Sequence, residues 1–266
     1  MFIIKTISIF FLLICFILAF SWLSKISLIQ IEEIEISGNI IVSKEEIIET
    51  VKKETSRKYL MLFSRNNIFL YPKKAIELKL TSEFKKLDKV TVKSRGFKKL
   101  IVKIVERTPN SLWCRDTIGS KNENNKNFET CYFLDEEGLI FSGAPDFSGN
   151  SFVRNYGLLD DIEQPIGEIY MSNKKFKDVS SFMNSLLILG IKVESFRVES
   201  EDDYKIYLKN GIKLIFDNKQ SLDKTLENIQ SILSEVDLRG DYPINNLTKI
   251  DYIDFRFGNK IFLKTE

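Results

Sequence analysis

The stretch ISIFFLLICFILAFSWL, from Ile7 to Leu23, is an unbroken apolar run that nothing else in the chain resembles. With the apolar flank Phe2–Ile4 it covers roughly 22 residues, or about 33 Å of helix at about 1.5 Å per residue. A bilayer has a hydrocarbon core about 30 Å thick, and a helix satisfies its own backbone hydrogen bonds there. The sequence therefore predicts a transmembrane helix at residues 7–24.

A cleaved signal peptide is the alternative interpretation of this run. Its apolar region is normally about 7 to 15 residues long and precedes a small-x-small cleavage site. Here the run is longer and its end carries the bulky Trp22, which favours an uncleaved anchor. Lys5 and Lys25 flank the span, and the amino terminus adds one charge in front of it. We therefore expect a single-pass membrane protein, with residues 1–6 as a cytoplasmic tail and the bulk of the chain extracytoplasmic.

The composition argues against several classes of function. The chain has 266 residues, with 39 Lys and Arg, 37 Asp and Glu, and no His. A net charge of +2 does not provide the basic field that nucleic-acid binding requires. The lack of His removes the commonest general base and the commonest metal ligand. An enzyme here would therefore have to use carboxylates, Lys or Tyr. We expect no catalytic residues, no metal, no cofactor, no small-molecule substrate and no nucleic-acid partner.

Two of the three cysteines suggest a disulfide. Cys15 lies in the apolar run, whereas Cys114 and Cys131 flank the polar stretch GSKNENNKNFE at 119–129 and adjoin strand-like residues. In an oxidising compartment a bridge across such a loop would stabilise the fold by roughly 3 kcal/mol. The alternative is two unrelated buried thiols. Two thiolates without His are an incomplete set of metal ligands. We predict the disulfide Cys114–Cys131.

Residues 29–107 show the order strand, helix, helix, strand, strand. Partial alternation predicts a strand at 29–36, and Ser43 with Glu46 fits a capping box that opens a helix. Pro72 suits the first turn of a second helix, and two alternating segments follow at 89–93 and 99–105. This pattern predicts a small β-α-α-β-β domain.

Residues 108–266 are predicted to form a β-rich domain with two helices. Asn210-Gly211 is a strong hairpin signal. Gly190 is expected to end a helix that Ser172 caps. The predicted strands are 131–134, 139–141, 192–198, 204–208, 212–216, 249–257 and 260–264, and the second helix is 222–236. The predicted fold class is therefore α+β, with an N-terminal transmembrane helix before the two domains.

Four motifs in this order resemble those of the FtsQ/DivIB family of bacterial cell-division proteins. Ile34–Asn39 (IEISGN) matches the family's "I-x-V-x-G-N", and Lys103–Pro109 (KIVERTP) matches "I-x-V-x-E-R-x-P". Leu134–Phe141 (LDEEGLIF) matches "L-[VI]-D-x-x-G-x-[VI]-F". Ile250–Phe257 (IDYIDFRF) matches "I-x-x-[VI]-D-L-R-[YF]", with Phe255 in place of the usual Leu. The resemblance implies a POTRA domain at 29–107 and the family's β domain at 108–266.

The charged residues of these motifs are expected to have structural roles. Glu106–Pro109 places a carboxylate beside a cation, but the alternating strand ends at Val105, and proline stops a ladder because it lacks an N–H. Asp135 is expected to accept a turn hydrogen bond rather than act as an acid. Asp254 and Arg256 share one strand face, and as a surface pair they would contribute well under about 1 kcal/mol. In an interface, however, the donor fork of the arginine could anchor a partner.

The last predicted strand, Lys260–Lys264, is the expected partner-binding element. A strand at a sheet edge has unpaired N–H and C=O groups that either need blunting or accept a partner strand. Blunting by Lys260 and Lys264 is the alternative. In the resembling family, this edge recruits FtsB/DivIC-like and FtsL-like proteins by strand addition. By that resemblance, the partner-binding residues are Arg256, Phe257, Lys260, Ile261, Phe262, Leu263 and Lys264.

The resemblance implies a non-catalytic divisome scaffold that helps to coordinate septal wall synthesis. Its expected location is the plasma (inner) membrane at the division septum, and a septal peptidoglycan synthase is a further expected partner. One alternative is a POTRA-type chaperone or secretion component of the envelope, but two helical stripes in the remaining roughly 160 residues do not suit a barrel. The other is a carboxylate-based envelope enzyme, which would require a pair such as Asp135 with Asp254 in a cleft. No spacing argues for that pair, so we predict no enzymatic activity.

Overall fold

The computed structural model of the chain describes residues 2–115, 130–145, 151–200, 202–232, 250–258 and 260–265. It divides into two compact units, Met1–Arg107 and Thr108–Glu266, called here the N-terminal unit and the C-terminal unit. The loop predicted at 119–129 lies outside the described residues, as do the last four residues of the helix predicted at 222–236.

The N-terminal unit begins with the apolar helix α1 (Phe2–Leu23). Residues Ile3–Leu23 of this helix are long and apolar enough to cross a membrane, and none of the tested window is buried against the rest of the chain. The side chains Phe10, Phe11 and Leu12 are each more than 60% exposed. This exposed apolar surface suits contact with lipid rather than with a protein core.

A three-stranded sheet, a short two-stranded hairpin and two α-helices follow α1 in the N-terminal unit. The elements are β1 (Glu33–Ser37), α2 (Lys44–Thr55), β2 (Lys58–Tyr59), β3 (Phe63–Ser64), α3 (Lys73–Glu83), β4 (Leu87–Arg95) and β5 (Lys99–Glu106). The sheet order is β1-β5-β4, with β1 parallel and β4 antiparallel to β5. Ile47, Val51, Ile76 and Leu80 of the helices are fully buried in one core with Val102 of the sheet.

The predicted β-α-α-β-β order is confirmed, with two differences in detail. Ser43 caps α2 as predicted, because the Glu46 N–H donates to its Oγ at 3.4 Å. The carboxylate found at Ser43 is that of Glu45, which accepts from the Ser43 hydroxyl at 2.9 Å, whereas a capping box would use the carboxylate of Glu46. The short hairpin β2–β3 was not predicted. Strands of two residues are too short to show alternation, so the sequence indicated only a mixed connection there.

In its described residues, the C-terminal unit is built on a nine-stranded mixed sheet with two helices. Its elements are β6 (Ser111–Cys114), β7 (Cys131–Leu134), β8 (Ile140–Gly143), β9 (Arg154–Tyr156), α4 (Asn173–Ile188), β10 (Val193–Val198), β11 (Asp203–Leu208), β12 (Lys213–Asp217), α5 (Leu222–Ile232), β13 (Ile250–Phe257) and β14 (Lys260–Thr265). The strand order is β14-β13-β12-β11-β10-β9-β6-β7-β8. The prediction of a β-rich unit with two helices is confirmed, although β9 was missed.

Aromatic side chains fill the core of this unit. Phe182 of α4 lies 5.5 Å from Phe216 between ring centroids, and Phe196 lies 5.8 Å from Tyr204. Gly190, with φ +84°, follows the end of α4 as predicted. Ser172 occupies the N-cap position of α4, but its side chain accepts no capping hydrogen bond, so the predicted side-chain cap is wrong.

Candidate functional site

The first and second sequence motifs meet at a carboxylate that binds backbone N–H groups. Oε1 of Glu106 accepts hydrogen bonds from Ile40 at 2.8 Å and from Ile41 and Val42 at 3.0 Å each. The Asn39 side chain donates to the Val42 carbonyl at 3.1 Å. The glutamate therefore holds the loop between β1 and α2 in place, which gives it the structural role that was predicted.

The charge of Glu106 is stabilised by these contacts. Partial burial acts to raise its pKa, but the backbone N–H groups of Val42, Ile40 and Ile41 outweigh burial and lower the pKa below its ordinary value. Arg107 next to it donates from Nε to the Lys85 carbonyl at 3.2 Å. The acid and the cation are thus both engaged with backbone.

The third motif forms the turn between β7 and β8. Oδ1 of Asp135 accepts from the Glu137 N–H at 2.8 Å and from the Leu139 N–H at 2.9 Å. Gly138 has φ +80°, and a Cβ there would lie 3.0 Å from Cγ of Phe176. Asp135 therefore organises the turn, as predicted.

The fourth motif contains an ion pair that is more buried than the sequence indicated. Nε and Nη2 of Arg256 donate hydrogen bonds to Oδ1 and Oδ2 of Asp254, at 3.0 and 2.6 Å, and Nη1 donates to Oδ1 of Asp203 at 3.1 Å. Asp254 is 5% exposed and the Arg256 side chain is 33% exposed. The interpretation as a weak surface pair is therefore wrong, because the aspartate is buried and held bidentately. The hydrogen bonds to Asp254, and the further one to Asp203, raise the pKa of Arg256 above its usual range despite partial burial.

The strand β14 lies at one end of the nine-stranded sheet. It pairs antiparallel with β13, and Ile253 faces Leu263 while Asp254 faces Phe262. The register shifts between Asp254 and Phe257, so a bulge interrupts this hairpin. Among the residues that the structure describes, no strand pairs with the other side of β14.

Two aromatic rings come together on this hairpin. Phe257 and Phe262 are 54% and 49% exposed, and their ring centroids lie 4.8 Å apart in an edge-on arrangement. Leu263 is 49% exposed, whereas Ile261 packs against the core. Sequence reasoning named both phenylalanines but not their contact, because the bulge and not the strand period brings them together.

The two lysines of β14 behave differently from each other. Nζ of Lys264 lies 4.0 Å from the Asp251 carboxylate and 5.6 Å from the Tyr252 ring centroid. Lys260 is exposed opposite Phe257 in the register. The predicted partner-binding residues of β13 and β14 are thus neighbours, and the two cysteines lie elsewhere in the same sheet.

Cys114 and Cys131 are joined by a disulfide with an S–S distance of 2.07 Å. They face each other in the register of β6 and β7, with their Cα atoms 4.1 Å apart. The bridge closes the segment between the two strands at its base, which is where the sequence placed it.

In the part of the chain that the structure describes, neither Asp135 nor Asp254, the pair that an enzyme would require, lines either of the two main grooves. A groove of about 520 Å³ is lined by residues of α4 and α5, including Phe182 and Leu226, but not by Asp135 or Asp254. Within the described ranges, no group of three or more His, Cys, Asp or Glu residues could hold a metal ion. The charged residues of the motifs are therefore bound to the protein's own backbone and side chains.

Residues 29–107 match the family model of the FtsQ-type POTRA domain. The chain contains an FtsQ-type POTRA domain. This domain, behind one candidate transmembrane helix, is consistent with an FtsQ/DivIB-like protein. FtsQ-type POTRA domains are generally non-catalytic. No curated protein matches the chain.

The POTRA domain contains both motifs that meet at Glu106. Gly38 and Asn39 shape the loop, and the carboxylate of Glu106 binds it. The residues of the two motifs are therefore needed to hold the loop between β1 and α2 in its folded conformation. Because the domain is of the FtsQ type, it supports the assignment of the chain as a POTRA-containing protein of the division type. The apolar helix α1 suggests a single-pass membrane anchor.

Proposed function

We propose that this protein is a non-catalytic divisome scaffold that docks a partner strand on the free side of β14. The partners are FtsB/DivIC-like and FtsL-like division proteins, and the scaffold helps to coordinate septal wall synthesis with a septal peptidoglycan synthase. The observation that supports this proposal most directly is the terminal position of β14 in the nine-stranded sheet, together with the FtsQ-type POTRA domain.

Main-chain hydrogen bonds would supply much of the binding energy. A sheet-edge strand presents a row of N–H and C=O groups, and an extended peptide can pair with them as a further strand. The six residues of β14 provide enough length for such a ladder. The free side of β14 therefore suits an extended partner better than a folded convex surface.

Side chains on this hairpin would add specificity. The exposed rings of Phe257 and Phe262 form a small apolar surface that a partner's aliphatic or aromatic side chain could cover. Lys260 and Lys264 lie on either side of the apolar residues 261–263, where they would disfavour pairing with a basic or neutral strand. A partner strand with acidic residues opposite the lysines is favoured.

Arg256 would contribute in two ways. Its bonds to Asp254 and Asp203 fix the conformation of β13, on which β14 pairs. One third of its side chain is still exposed, so its guanidinium can meet a partner carboxylate at the rim. The proposed location is the inner membrane at the division septum, with the N-terminus of α1 in the cytoplasm.

A pair of proline variants tests strand addition. Along a strand, successive residues direct their N–H groups to opposite sides, so Phe262→Pro and Leu263→Pro remove N–H groups from opposite sides of β14. One variant should break pairing with β13 and lower the unfolding temperature of the C-terminal unit. The other should leave unfolding unchanged and abolish co-purification with the FtsB/DivIC-like partner.

The control is Phe262→Ala, which keeps every backbone donor. It should weaken co-purification less than the proline variant whose lost N–H pointed away from β13. Equal co-purification of wild type and both folded proline variants would contradict strand addition. A fluorescent fusion of the full chain should concentrate at constriction sites. Uniform distribution over the membrane would favour an envelope assembly role over a division role.

A further inference from the structure

The hairpin β2–β3 of the POTRA domain has a tip with an unusual backbone. Leu60 and Met61 have φ values of +47° and +61°, and the Leu62 N–H donates to the Tyr59 carbonyl at 3.0 Å. Two successive positive φ angles in a hydrogen-bonded turn correspond to type I′, for which asparagine and glycine are preferred. Leucine and methionine at these positions are therefore strained without an evident gain for the fold.

The side chains at this tip are also exposed. Leu60 is 84% and Met61 is 88% exposed, and Met61 is the most exposed large apolar residue among those described. A water-exposed turn normally carries polar residues at its tip. Strain and apolar exposure at the same two residues indicate that the tip has an apolar neighbour outside the chain.

The hairpin is held at the end of the membrane helix. Oγ of Ser21 in the last turn of α1 donates to the Leu62 carbonyl at 2.8 Å, and the Ser64 N–H donates to Oγ of Ser24 at 3.2 Å. Trp22 lies between these two serines in sequence and is 69% exposed. Tryptophan is enriched where a membrane meets water. The hydrogen bonds therefore hold the hairpin beside the end of α1, where a membrane-spanning helix would leave the bilayer.

Basic residues follow α1 and flank the tip of the hairpin in sequence. Lys25 after α1 and Lys58 of β2 are exposed, and the Arg65 guanidinium lies 4.4 Å from the centroid of the Tyr59 ring. Cations near a bilayer surface are attracted to anionic headgroups. Apolar residues at the tip with lysine and arginine behind them are the arrangement expected of a segment that enters an anionic bilayer surface.

We propose that Leu60 and Met61 insert into the headgroup and upper acyl region of the bilayer beside α1, and so attach the POTRA domain to the membrane at a second point. The inference rests on α1 being the membrane anchor and does not depend on strand addition at β14. The occupant is lipid, because the tip is bonded to the end of a helix whose own exposed side chains are apolar.

Depth-dependent quenching tests the insertion on the full chain. Met61→Cys in a Cys15→Ser background is labelled with a polarity-sensitive fluorophore, without reductant, and reconstituted into nanodiscs of phosphatidylcholine and phosphatidylglycerol. We expect a blue-shifted emission, quenching by a nitroxide on a shallow acyl carbon, and loss of quenching by an aqueous nickel chelate. Because no partner protein is present, full aqueous quenching would overturn the proposal and would indicate a protein neighbour instead.

Ile40 provides the matched control position. Ile40 is 87% exposed and lies just after the end of β1. The other end of β1 is the one that follows α1 in the chain, and there the Glu32 N–H donates to the Lys98 carbonyl. The length of β1 therefore separates Ile40 from the end of the strand that adjoins α1. A label at Ile40→Cys should be quenched by the nickel chelate and not by the lipid nitroxide. Equal behaviour at positions 40 and 61 would contradict a specific insertion of the tip.

A second variant separates lipid contact from folding. Leu60→Asn with Met61→Gly installs the preferred type I′ residues, so the hairpin should remain folded, which hydrogen exchange of its amides will show. In this variant a label at Lys58→Cys should lose quenching by the lipid nitroxide relative to the unmodified tip. Unchanged lipid quenching at position 58 would show that the two apolar side chains do not hold the hairpin in the bilayer.

Discussion

Gly38 lies so close to Ile104 that a Cβ atom at position 38 would stand 2.1 Å from the Ile104 carbonyl oxygen. Gly38 also has φ +88°, a region that residues with a side chain rarely adopt. The glycine of the first motif is therefore required both by its backbone conformation and by the neighbouring strand β5.

Gly38→Ala should destabilise the POTRA domain by about 2 to 4 kcal/mol, since the added methyl must displace backbone as well as adopt a positive φ. Gly96→Ala is the matched control, because Gly96 has φ +66° and open space around it. Its cost should be about 1 kcal/mol. Hydrogen exchange of the β1 and β5 amides measures both, and equal effects would show that the close approach to Ile104 does not matter.

Glu106→Gln should loosen the loop that follows β1. A neutral amide accepts the N–H groups of Ile40, Ile41 and Val42 less strongly than a carboxylate does, so we expect a loss of about 1 to 2 kcal/mol at neutral pH. The three amides should exchange faster in the variant. Amides of α4, in the other unit, serve as the internal control and should not change.

The effect of Glu106→Gln should depend on pH with a definite sign. The folded protein lowers the pKa of Glu106, so its charge stabilises the fold above the unfolded pKa of about 4.3. This contribution is lost as the pH falls through the lower folded value. The stability difference between wild type and variant should therefore be largest above about pH 5 and shrink on acidification. A constant difference down to pH 3 would contradict a role for the charge.

The motif residues were readable from the sequence because of their positions along the chain, although the hydrogen bonds that Glu106 accepts span 64 to 66 residues. The glycine at 38, the carboxylate at 106 and the turn aspartate at 135 occupy fixed spacings from strands whose alternation is visible. These features gave the fold class and the order of elements. The two-residue strands β2 and β3 and the three-residue β9 were missed, since segments that short do not display a period.

The candidate site was less predictable than the fold. The contact between Phe257 and Phe262 arises at a bulge, and the bond from Arg256 to Asp203 spans 53 residues. The first contact depends on the register within the β13–β14 hairpin, and the second on the register of strands that are distant in sequence, and no local pattern specifies either register. Arg256, Phe257 and Phe262 were named from the resemblance, whereas the role of Asp203 and the geometry of both contacts required the structure.

Loss of the disulfide should weaken the C-terminal unit. Cys114 and Cys131 close a loop with a sequence separation of 17, for which the chain-entropy model gives about 3 kcal/mol. Replacing both by serine should lower the free energy of unfolding by roughly that amount. Fluorescence of the buried Trp113 next to Cys114 reports the transition. Cys15→Ser should have no effect on it, and neither should reductant added to the doubly substituted protein.

Arg256→Ala should destabilise the C-terminal unit by about 2 to 4 kcal/mol, because it leaves the buried carboxylate of Asp254 without its bidentate partner. Arg256→Lys keeps the charge but not the two parallel hydrogen bonds, so we expect an intermediate loss. Urea unfolding followed by Trp113 fluorescence measures both variants.

A double variant separates the structural role of Arg256 from its proposed contact with a partner. Asp254→Asn removes the buried charge, so combining it with Arg256→Ala should cost less than the sum of the two single changes. If Arg256 acts only by holding β13, the double variant should regain partner binding in proportion to its recovered stability. If the exposed third of the side chain also meets a partner carboxylate, binding should stay weak although stability recovers. Additive stability losses would contradict the coupling between the two side chains that the bidentate geometry requires.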